Sequence, residues 1–236
     1  MITKPDYGID APPFVRALSI SGMFFCVASS RAGTHQLYGL TLSYIFLITG
    51  LLSIALAFLM LYSSKRGKVR QRDKLIDSLD IMGNEIILDI GCGKGLLLIA
   101  AAKKLNSGKA IGVDIWKATD LSNNNPETTI RNAILENVDN RVEVITADMR
   151  MLPFKDNSID IIAASMAVHN VKSIEERRNA LREINRVLRP EGKIAIMDFK
   201  FTNEYVIVLK ELGRSNVCLS GLKFSMFPPV RVVSVK

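Results

Sequence analysis

The sequence predicts an α/β fold, a parallel sheet with helices on both faces, preceded by one or two transmembrane helices. From about residue 84 onward, short apolar runs of strand length alternate with segments of helical pattern. Such alternation is typical of a parallel sheet covered by helices on both faces. Ahead of this region, residues 32–64 contain no Asp, Glu, Lys or Arg. That uncharged stretch is the basis for predicting a membrane segment.

The longest apolar run is Leu37 to Tyr62, about 26 residues without a charge or a proline. A helix of about 20 apolar residues crosses the hydrocarbon core of a bilayer, so this run is predicted to span it with some tilt. An earlier stretch within residues 14–30 is shorter and lies between Arg16 and Arg31. It either spans as well, which makes a hairpin with both termini in the cytoplasm, or lies in the membrane interface.

A basic cluster follows the longest apolar run and carries much of the net charge of +8. Only Asp73 opposes its six cations, Lys65, Arg66, Lys68, Arg70, Arg72 and Lys74. Cytoplasmic flanks of transmembrane helices are enriched in such residues. We therefore expect an integral membrane protein whose remaining chain is cytoplasmic, and we do not expect a nucleic-acid-binding protein. The predicted divisions are a membrane anchor at 1–64, a basic juxtamembrane linker or lid helix at 65–83, and a globular domain at 84–236.

The elements of this domain follow from its pattern of apolar residues and turn signals. A short helix is predicted from Gln71 to Met82, ended by Gly83, and Ser173 to Glu176 form a capping box that opens a later helix. The tail is expected to form a β-hairpin. The predicted strands are Glu85–Ile90, Lys109–Asp114, Val142–Thr146, Ser158–Ser165, Lys193–Asp198, Asn216–Phe224 and Val230–Val235.

A glycine-rich turn joins the first of these strands to a helix, with glycines at Gly91, Gly93 and Gly95. Glycines at such a turn let the backbone approach a ligand closely, with helix N–H groups pointing at it. The dinucleotide fingerprint G-x-G-x-x-G is not present, since Leu96 occupies its third glycine position. Asp89, two residues before Gly91, is placed to take the ammonium of an amino-acid ligand.

Acidic residues also end the next two strands. Asp114 is placed to accept bonds from two ribose hydroxyls, and Asp148, followed by Met149, to receive an adenine amino group. Ile115 or Trp116 is expected to pack on the adenine or ribose, although a core role for Trp116 is equally consistent with the sequence. The three cysteines are far apart without metal-ligand spacing, so no metal site is predicted.

These motifs resemble those of one known family. The run 88–95, LDIGCGKG, is similar to motif I of the class I methyltransferases that use S-adenosylmethionine (SAM), and 112–115, GVDI, to their acidic second-strand motif. Residues 148–160 and 183–192 resemble the type 11 branch, which includes ubiquinone and menaquinone C-methyltransferases. The resemblance implies a Rossmann-like seven-stranded sheet with a final antiparallel strand, SAM as cofactor, and a methyltransferase domain at 84–236. One departure is Glu191 in the usual Pro-Gly-Gly turn.

The acceptor and the chemistry at it stay open at this stage. His169, after the fourth strand, is either a base or substrate contact or a structural residue over the cofactor, and a base is needed only if the acceptor loses a proton. The leading interpretation is methylation of a lipophilic small molecule at the cytoplasmic face of a membrane. The alternatives are a small cytosolic acceptor, and a non-catalytic SAM-binding module in a membrane complex.

Overall fold

The computed structural model describes residues 4–32, 36–117 and 121–236. Seven strands form one sheet in the order β3-β2-β1-β4-β5-β7-β6. Strands β1 to β5 all run parallel to one another, and β7 runs antiparallel to both β5 and β6. Their bounds are β1 Ile86–Ile90, β2 Lys109–Asp114, β3 Val142–Thr146, β4 Ile159–Ser165, β5 Leu188–Asp198, β6 Val217–Leu219 and β7 Arg231–Val235. The predicted α/β architecture with its antiparallel final strand is confirmed.

Seven α-helices accompany the strands in the described part of the chain. Two of them, α1 and α2, precede the sheet domain, and the other five cover it. Their bounds are α1 Pro12–Ala32, α2 Gln36–Tyr62, α3 Lys68–Asp77, α4 Leu96–Ala102, α5 Pro126–Leu135, α6 Ile174–Val187 and α7 Thr202–Glu211. Ser173 is the N-cap of α6, as the predicted start of this helix requires, because its side chain accepts a hydrogen bond from Glu176 N at 3.3 Å.

The core lies on both faces of the sheet, as the apolar strands require. Ile87, Leu88 and Ile90 of β1 are fully buried. On one face, residues of α3 and α4 such as Ile76 pack against the sheet. On the other face, α6 and α7 do so, with Tyr205 of α7 fully buried. Both faces of a parallel sheet are therefore covered, which leaves its strand ends as the accessible edges.

Three details differ from the sequence-based expectations. Helix α3 ends at Asp77, not at Gly83, because Asp80 takes the left-handed conformation (φ +47°) and turns the chain away. Helix α7 was not predicted; its run of β-branched residues at 206–208 has strand propensity, and burial against the sheet overrides it. Strand β6 is shorter than predicted, and the four residues 189–192 bulge out of β5 between its pairings at Leu188 and Lys193.

Helices α1 and α2 form a hairpin with antiparallel axes. Close contacts join Gly22 to Gly50, where a Cβ on either glycine would meet the other's carbonyl oxygen at about 3 Å. Nearer the turn, the Ser29 and Ser43 hydroxyls lie 3.2 Å apart. Small residues at a helix–helix contact with large exposed apolar side chains elsewhere are typical of membrane helices. Both helices are long and apolar enough to cross a membrane, judged by length and composition.

Helix α2 does not end in a loop before the sheet domain. It continues through one π-helical turn, Ser63–Gly67, directly into α3. The helical hairpin and the sheet domain are thus joined by continuous helix, in the segment that the sequence predicted to be a linker or lid helix. Residues 33–35 and the side chains of residues 36–39 lie outside the part of the chain that the structure describes.

Candidate active site

A cleft of about 710 Å³ opens at the carboxyl ends of β1, β2 and β4. Ligands of open α/β sheets bind in the crevice at this edge. The cleft brings together all but one of the residues predicted from the sequence, the exception being Gly95. Its predicted lining residues are Asp89, Gly91, Gly93, Asp114, Ile115, Asp148, Met149 and His169.

The glycine-rich turn forms the floor of the cleft. Gly91, Gly93 and Gly95 have φ of +67°, +51° and +82°, a region that L-residues with a side chain rarely adopt. A Cβ on Gly91 would lie 2.4 Å from the Cβ of Ala167, the second residue after β4. The turn therefore needs glycine for its backbone conformation and, at Gly91, also for space.

Asp89 lies beneath this turn and is 2% exposed. Its Oδ2 accepts a hydrogen bond from Leu98 N at 2.9 Å, while its Oδ1 has no partner among the described residues. Burial raises the pKa of the Asp89 carboxyl to about 7, and the Leu98 hydrogen bond opposes that shift. A buried acceptor left unpaired is costly unless a donor reaches it. The site thus has the acceptor that an ammonium group would satisfy.

Asp114 bridges the glycine turn and the loop after β2. Its Oδ2 accepts from Gly93 N at 2.8 Å and its Oδ1 from Trp116 N at 2.6 Å. Oδ1 also accepts from Asn124 Nδ2 at 3.4 Å, so Oδ2 is the oxygen that keeps a second lone pair for a ligand hydroxyl. Of the two residues weighed for contact with a nucleoside, Ile115 lines the cleft and is 47% exposed. The Trp116 ring instead donates to Thr146 Oγ1 at 2.8 Å.

Asp148 is engaged by a residue that the sequence did not single out. Arg150 donates to both of its carboxylate oxygens, at 2.6–3.0 Å, and also to Glu176 Oε1 at 2.6 Å. These hydrogen bonds hold the pKa of the Asp148 carboxyl below its usual value. An adenine amino group would share Asp148 with this guanidinium, and Met149 lines the cleft beside it.

His169 also has a partner that the sequence did not reveal. Its Nδ1 lies 2.8 Å from Oδ1 of Asp198, a fully buried residue at the end of β5. Asp198 Oδ2 accepts from His169 N at 3.1 Å and from the Tyr205 hydroxyl at 3.3 Å. The ring packs edge-on against Phe199, with centroids 4.5 Å apart. The contact between Nδ1 and Asp198 lacks hydrogen-bond geometry, because Nδ1 has no hydrogen-bond partner among the described residues, and Nε2 is the other ring nitrogen available to the cleft.

A segment ahead of the hairpin covers the glycine turn. We call residues 6–10 the N-terminal strap. The Lys94 side chain, 1% exposed within the turn, donates to Asp6 Oδ2 at 2.8 Å. Asn132 of α5 joins the two, since its Nδ2 donates to the carbonyls of both Asp6 and Lys94, at 2.9 and 3.0 Å. No sequence pattern pointed to this contact, because the strap is short, aperiodic and more than 120 residues from α5.

The strap is also fixed to the helix that leaves the hairpin. Lys68 Nζ donates to the carbonyls of Tyr7 and Gly8 and to Asp10 Oδ1, at 2.8–3.0 Å. The Lys68 side chain is buried, so this member of the basic cluster forms contacts inside the protein and is not part of its charged surface. The Asp10 carboxylate also accepts from Ser64 Oγ at 3.1 Å.

The far end of the cleft is formed by the base of the hairpin. Phe14 of α1 and Met60 of α2 line it, together with Phe227 of the segment before β7. Phe14 is 58% exposed. One continuous cleft therefore runs from the glycine turn to the ends of the two apolar helices.

Comparison with known proteins identifies the domain. Residues 88–196 match the family described as a methyltransferase domain. A demethylmenaquinone methyltransferase of Lactobacillus johnsonii is 33% identical over 129 residues, 54% of this chain and 49% of that protein. Residues 88–196 form a methyltransferase domain similar to those of class I SAM-dependent methyltransferases. A sterol 4-C-methyltransferase of Caenorhabditis elegans is 29% identical over 133 residues, 56% of this chain and 36% of that protein.

Solved structures show the same fold for the methyltransferase domain. A SAM-dependent methyltransferase from Aquifex aeolicus superposes with a TM-score of 0.53 at 20% identity, covering 72% of this chain and 91% of that one. A protein from Nostoc punctiforme that is described as an O-methyltransferase superposes with a TM-score of 0.62 at 19% identity, covering 96% of this chain and 72% of that one. The chain spans about half the length, or less, of the curated relatives that it matches.

The residues of the methyltransferase domain fit SAM. The unpaired Asp89 Oδ1 suits its ammonium, the glycine turn leaves room for close backbone approach, and Asp114 Oδ2 retains a lone pair for a ribose hydroxyl. Bound SAM would supply a methyl group on a positively charged sulfur. Across residues 4–32, 36–117 and 121–236, no group of three His, Cys, Asp or Glu side chains could hold a metal ion.

Proposed function

We propose that this chain transfers a methyl group from SAM to a lipophilic small molecule at the cytoplasmic face of a membrane, which its helical hairpin spans. Domain boundaries are proposed to follow the elements: hairpin anchor within 1–64, basic helix within 65–83, and catalytic domain at 84–236. The relatives named for demethylmenaquinone and sterol substrates support an acceptor of this class.

The observation that carries the proposal is the shape of the cleft. Its inner end holds the glycine turn and Asp114, and its outer end is made by Phe14 and Met60 at the base of the hairpin. A helix of 27 residues such as α2 is about 40 Å long and exceeds the roughly 30 Å hydrocarbon core. If the hairpin spans, the cleft opens at the membrane interface, where a lipophilic acceptor resides.

The basic residues that follow α2 support the proposed cytoplasmic orientation of the methyltransferase domain. Lys65, Arg66, Arg70 and Lys74 are exposed on the continuation of α2. Each such residue near an anionic lipid surface gains on the order of 1 kcal/mol. We propose that these four hold the methyltransferase domain against the cytoplasmic leaflet.

The protein's contribution to the chemistry is mainly placement. Methyl transfer is an in-line displacement: the bond from acceptor to methyl carbon forms as the bond from that carbon to sulfur breaks, and sulfur keeps the electron pair. Holding the reactants in line supplies much of the rate. Where the acceptor carries a proton that must leave, His169 Nε2 is the group in the cleft proposed to take it, and Asp198 would stabilise the resulting imidazolium.

Labelled SAM tests the proposal directly. Membranes containing the full chain are incubated with methyl-labelled SAM and lipid extract, and the extract is fractionated. We expect label in the lipid fraction. Phe14→Ala should reduce that labelling, whereas Phe24→Ala should not, since Phe24 is equally exposed on α1 but does not line the cleft.

Two outcomes would favour the alternatives. Label confined to water-soluble products, unaffected by Phe14→Ala, would indicate a small cytosolic acceptor. SAM binding without label in any fraction would indicate a non-catalytic SAM-binding module.

A further inference from the structure

The segment between β6 and β7 packs against the helix that leaves the hairpin. We define the C-terminal loop as residues 221–229. The Phe227 N–H donates to Ser63 Oγ at 2.9 Å, and the Gln71 amide donates to Ser225 Oγ. Gly67 lets the backbones meet, because a Cβ there would lie 2.1 Å from the Ser225 carbonyl oxygen. These three contacts fix the loop to the first turns after Tyr62.

The two sides of this loop have opposite surroundings. Met226 is buried, and Met226, Phe227 and Pro228 line the cleft. By contrast, Phe224 is 76% exposed and Leu222 is 47% exposed. The loop is well packed at its base, yet it exposes two large apolar side chains. Exposing these side chains to water is unfavourable in free energy.

The position of the loop relative to α2 indicates the surroundings of the Phe224 and Leu222 side chains. Ser63 is one residue past the end of α2, and Gly67 follows about 6 Å further along the helix axis. The headgroup region extends roughly 5–7 Å beyond the hydrocarbon core on each side. Phe224 is three residues from Phe227, within a reach of about 10 Å. The loop therefore sits at the depth of the headgroups when α2 spans the bilayer.

Charge on the neighbouring helix matches the same surface. Arg66, Arg70 and Lys74 recur at four-residue spacing, so they lie along one side of the helix, and all three are exposed. Exposed aromatic and aliphatic side chains beside cations are typical of segments that rest in an anionic membrane interface.

We propose that the C-terminal loop is a second membrane contact of this protein, with Phe224 and Leu222 inserted among the phospholipid headgroups of the cytoplasmic leaflet. The proposal rests on the proposed membrane-spanning hairpin. Because the same loop lines the cleft through Met226, Phe227 and Pro228, its insertion places the mouth of the cleft against lipid. The acceptor then enters between the loop and the base of the hairpin without passing through water.

Tryptophan quenching by lipids brominated along their acyl chains tests this contact in the full-length protein. The chain has one tryptophan, Trp116, so the unsubstituted protein gives the background. Each variant, Phe224→Trp, Ile134→Trp and Phe58→Trp, is reconstituted in vesicles of phosphatidylcholine with phosphatidylglycerol. Ile134, on α5, is 54% exposed and remote from the hairpin, and Phe58, on α2, is 67% exposed.

We expect strong quenching at Phe58→Trp, at least twofold quenching at Phe224→Trp, and none above background at Ile134→Trp. If Phe58→Trp is quenched while Phe224→Trp matches Ile134→Trp, the loop proposal is wrong and the spanning hairpin stands. If Phe58→Trp is also unquenched, the membrane-spanning hairpin and the loop proposal are both wrong. Circular dichroism of each variant identifies any that fails to fold, and Leu222→Trp then replaces Phe224→Trp.

Discussion

The imidazole of His169 and the carboxylate of Asp198 face each other at 2.8 Å between Nδ1 and Oδ1, across the ends of neighbouring strands β4 and β5. Asp198 is fully buried and also accepts from two backbone N–H groups and a tyrosine hydroxyl. A carboxylate this near the ring would fix the tautomer of the histidine once Nδ1–H turns to donate to it, since Nδ1 has no hydrogen-bond partner among the described residues. The pairing gives His169 the arrangement of a general base, although a base is required only for acceptors that lose a proton.

Replacing His169 by Gln should lower turnover by roughly 10²–10⁴-fold while the Kd for SAM changes little, if Nε2 takes a proton from the acceptor. Labelled methyl incorporation into the lipid fraction gives the rate, and calorimetry gives the Kd. Asp198→Asn should lower turnover as well, and the double variant should be no worse than His169→Gln, because the two side chains act as a unit. Tyr205→Phe, which spares the His169 contact, is the matched control. Unchanged turnover in His169→Gln would make the histidine structural.

Asp114→Ala should weaken SAM binding by about 1–3 kcal/mol, since buried ribose hydroxyls would lose their acceptor. The structure adds a second reason, because Gly93 N and Trp116 N would lose theirs too. Asp114→Asn separates the two effects by retaining one acceptor oxygen. Titration calorimetry measures the Kd, with the exposed Asp77→Ala as control. A folded Asp114→Ala protein with wild-type affinity would overturn the assignment, as would tight binding of NAD.

Affinity for SAM should fall as the pH drops below about 7. Burial holds the Asp89 pKa at about 7 in the ligand-free protein, so at lower pH this carboxyl is protonated and must lose its proton to pair with an ammonium. The limiting slope is about tenfold in Kd per pH unit, and binding should release a proton near pH 6. Calorimetry in two buffers of different ionisation enthalpy detects that proton. Asp89→Asn should bind weakly without this pH dependence; the same slope in that variant would exclude Asp89 as its source.

Both chain ends should lie on the cytoplasmic side of the membrane. The strap contacts the methyltransferase domain through Asp6 and Lys68, so the N-terminal residues and the domain occupy one compartment. On the proposed topology, the basic flank is expected to keep that compartment in the cytoplasm. Protease added outside intact cells should therefore spare residues 65–236 and also a tag at residue 1. Cleavage of the tag alone would contradict the hairpin topology, and cleavage of the domain would reverse its orientation.

Asp6→Asn should lower the melting temperature and weaken SAM binding, because Lys94 would be left as a buried cation without its counter-charge. A hydrogen bond to a charged group contributes about 1.5–3 kcal/mol. A protein starting near Lys68, which lacks the strap, should show a weakened SAM affinity for the same reason. Lys104→Ala, which removes an exposed ion pair with Asp77, is the control. Equal SAM affinity in the Asp6→Asn protein and the wild type would show that the strap contact does not contribute to SAM binding.

The sequence predicted the parts of this molecule whose causes are local. The glycines at 91, 93 and 95 and the acids that end β1 to β3 are fixed by strand–turn–helix geometry, and all but Gly95 line the cleft. What it missed left no pattern in the sequence. The ion pair between Arg150 and Asp148 is local, two residues apart, but no recognisable motif signals it. Other contacts join distant segments: the sheet register brings Asp198 to His169. The strap has no apolar period, so nothing in residues 6–10 signals where it binds.

The strap also orders the assembly of the protein in time. Asp6 precedes its partners Lys94 and Asn132 by about 90 and 125 residues. Contacts of such separation form late in folding. If the hairpin spans a membrane as proposed, the glycine turn receives its cover only when the strap and the domain lie in the same compartment. A chain inserted with the strap on the other side would then lack the finished methyl-donor site.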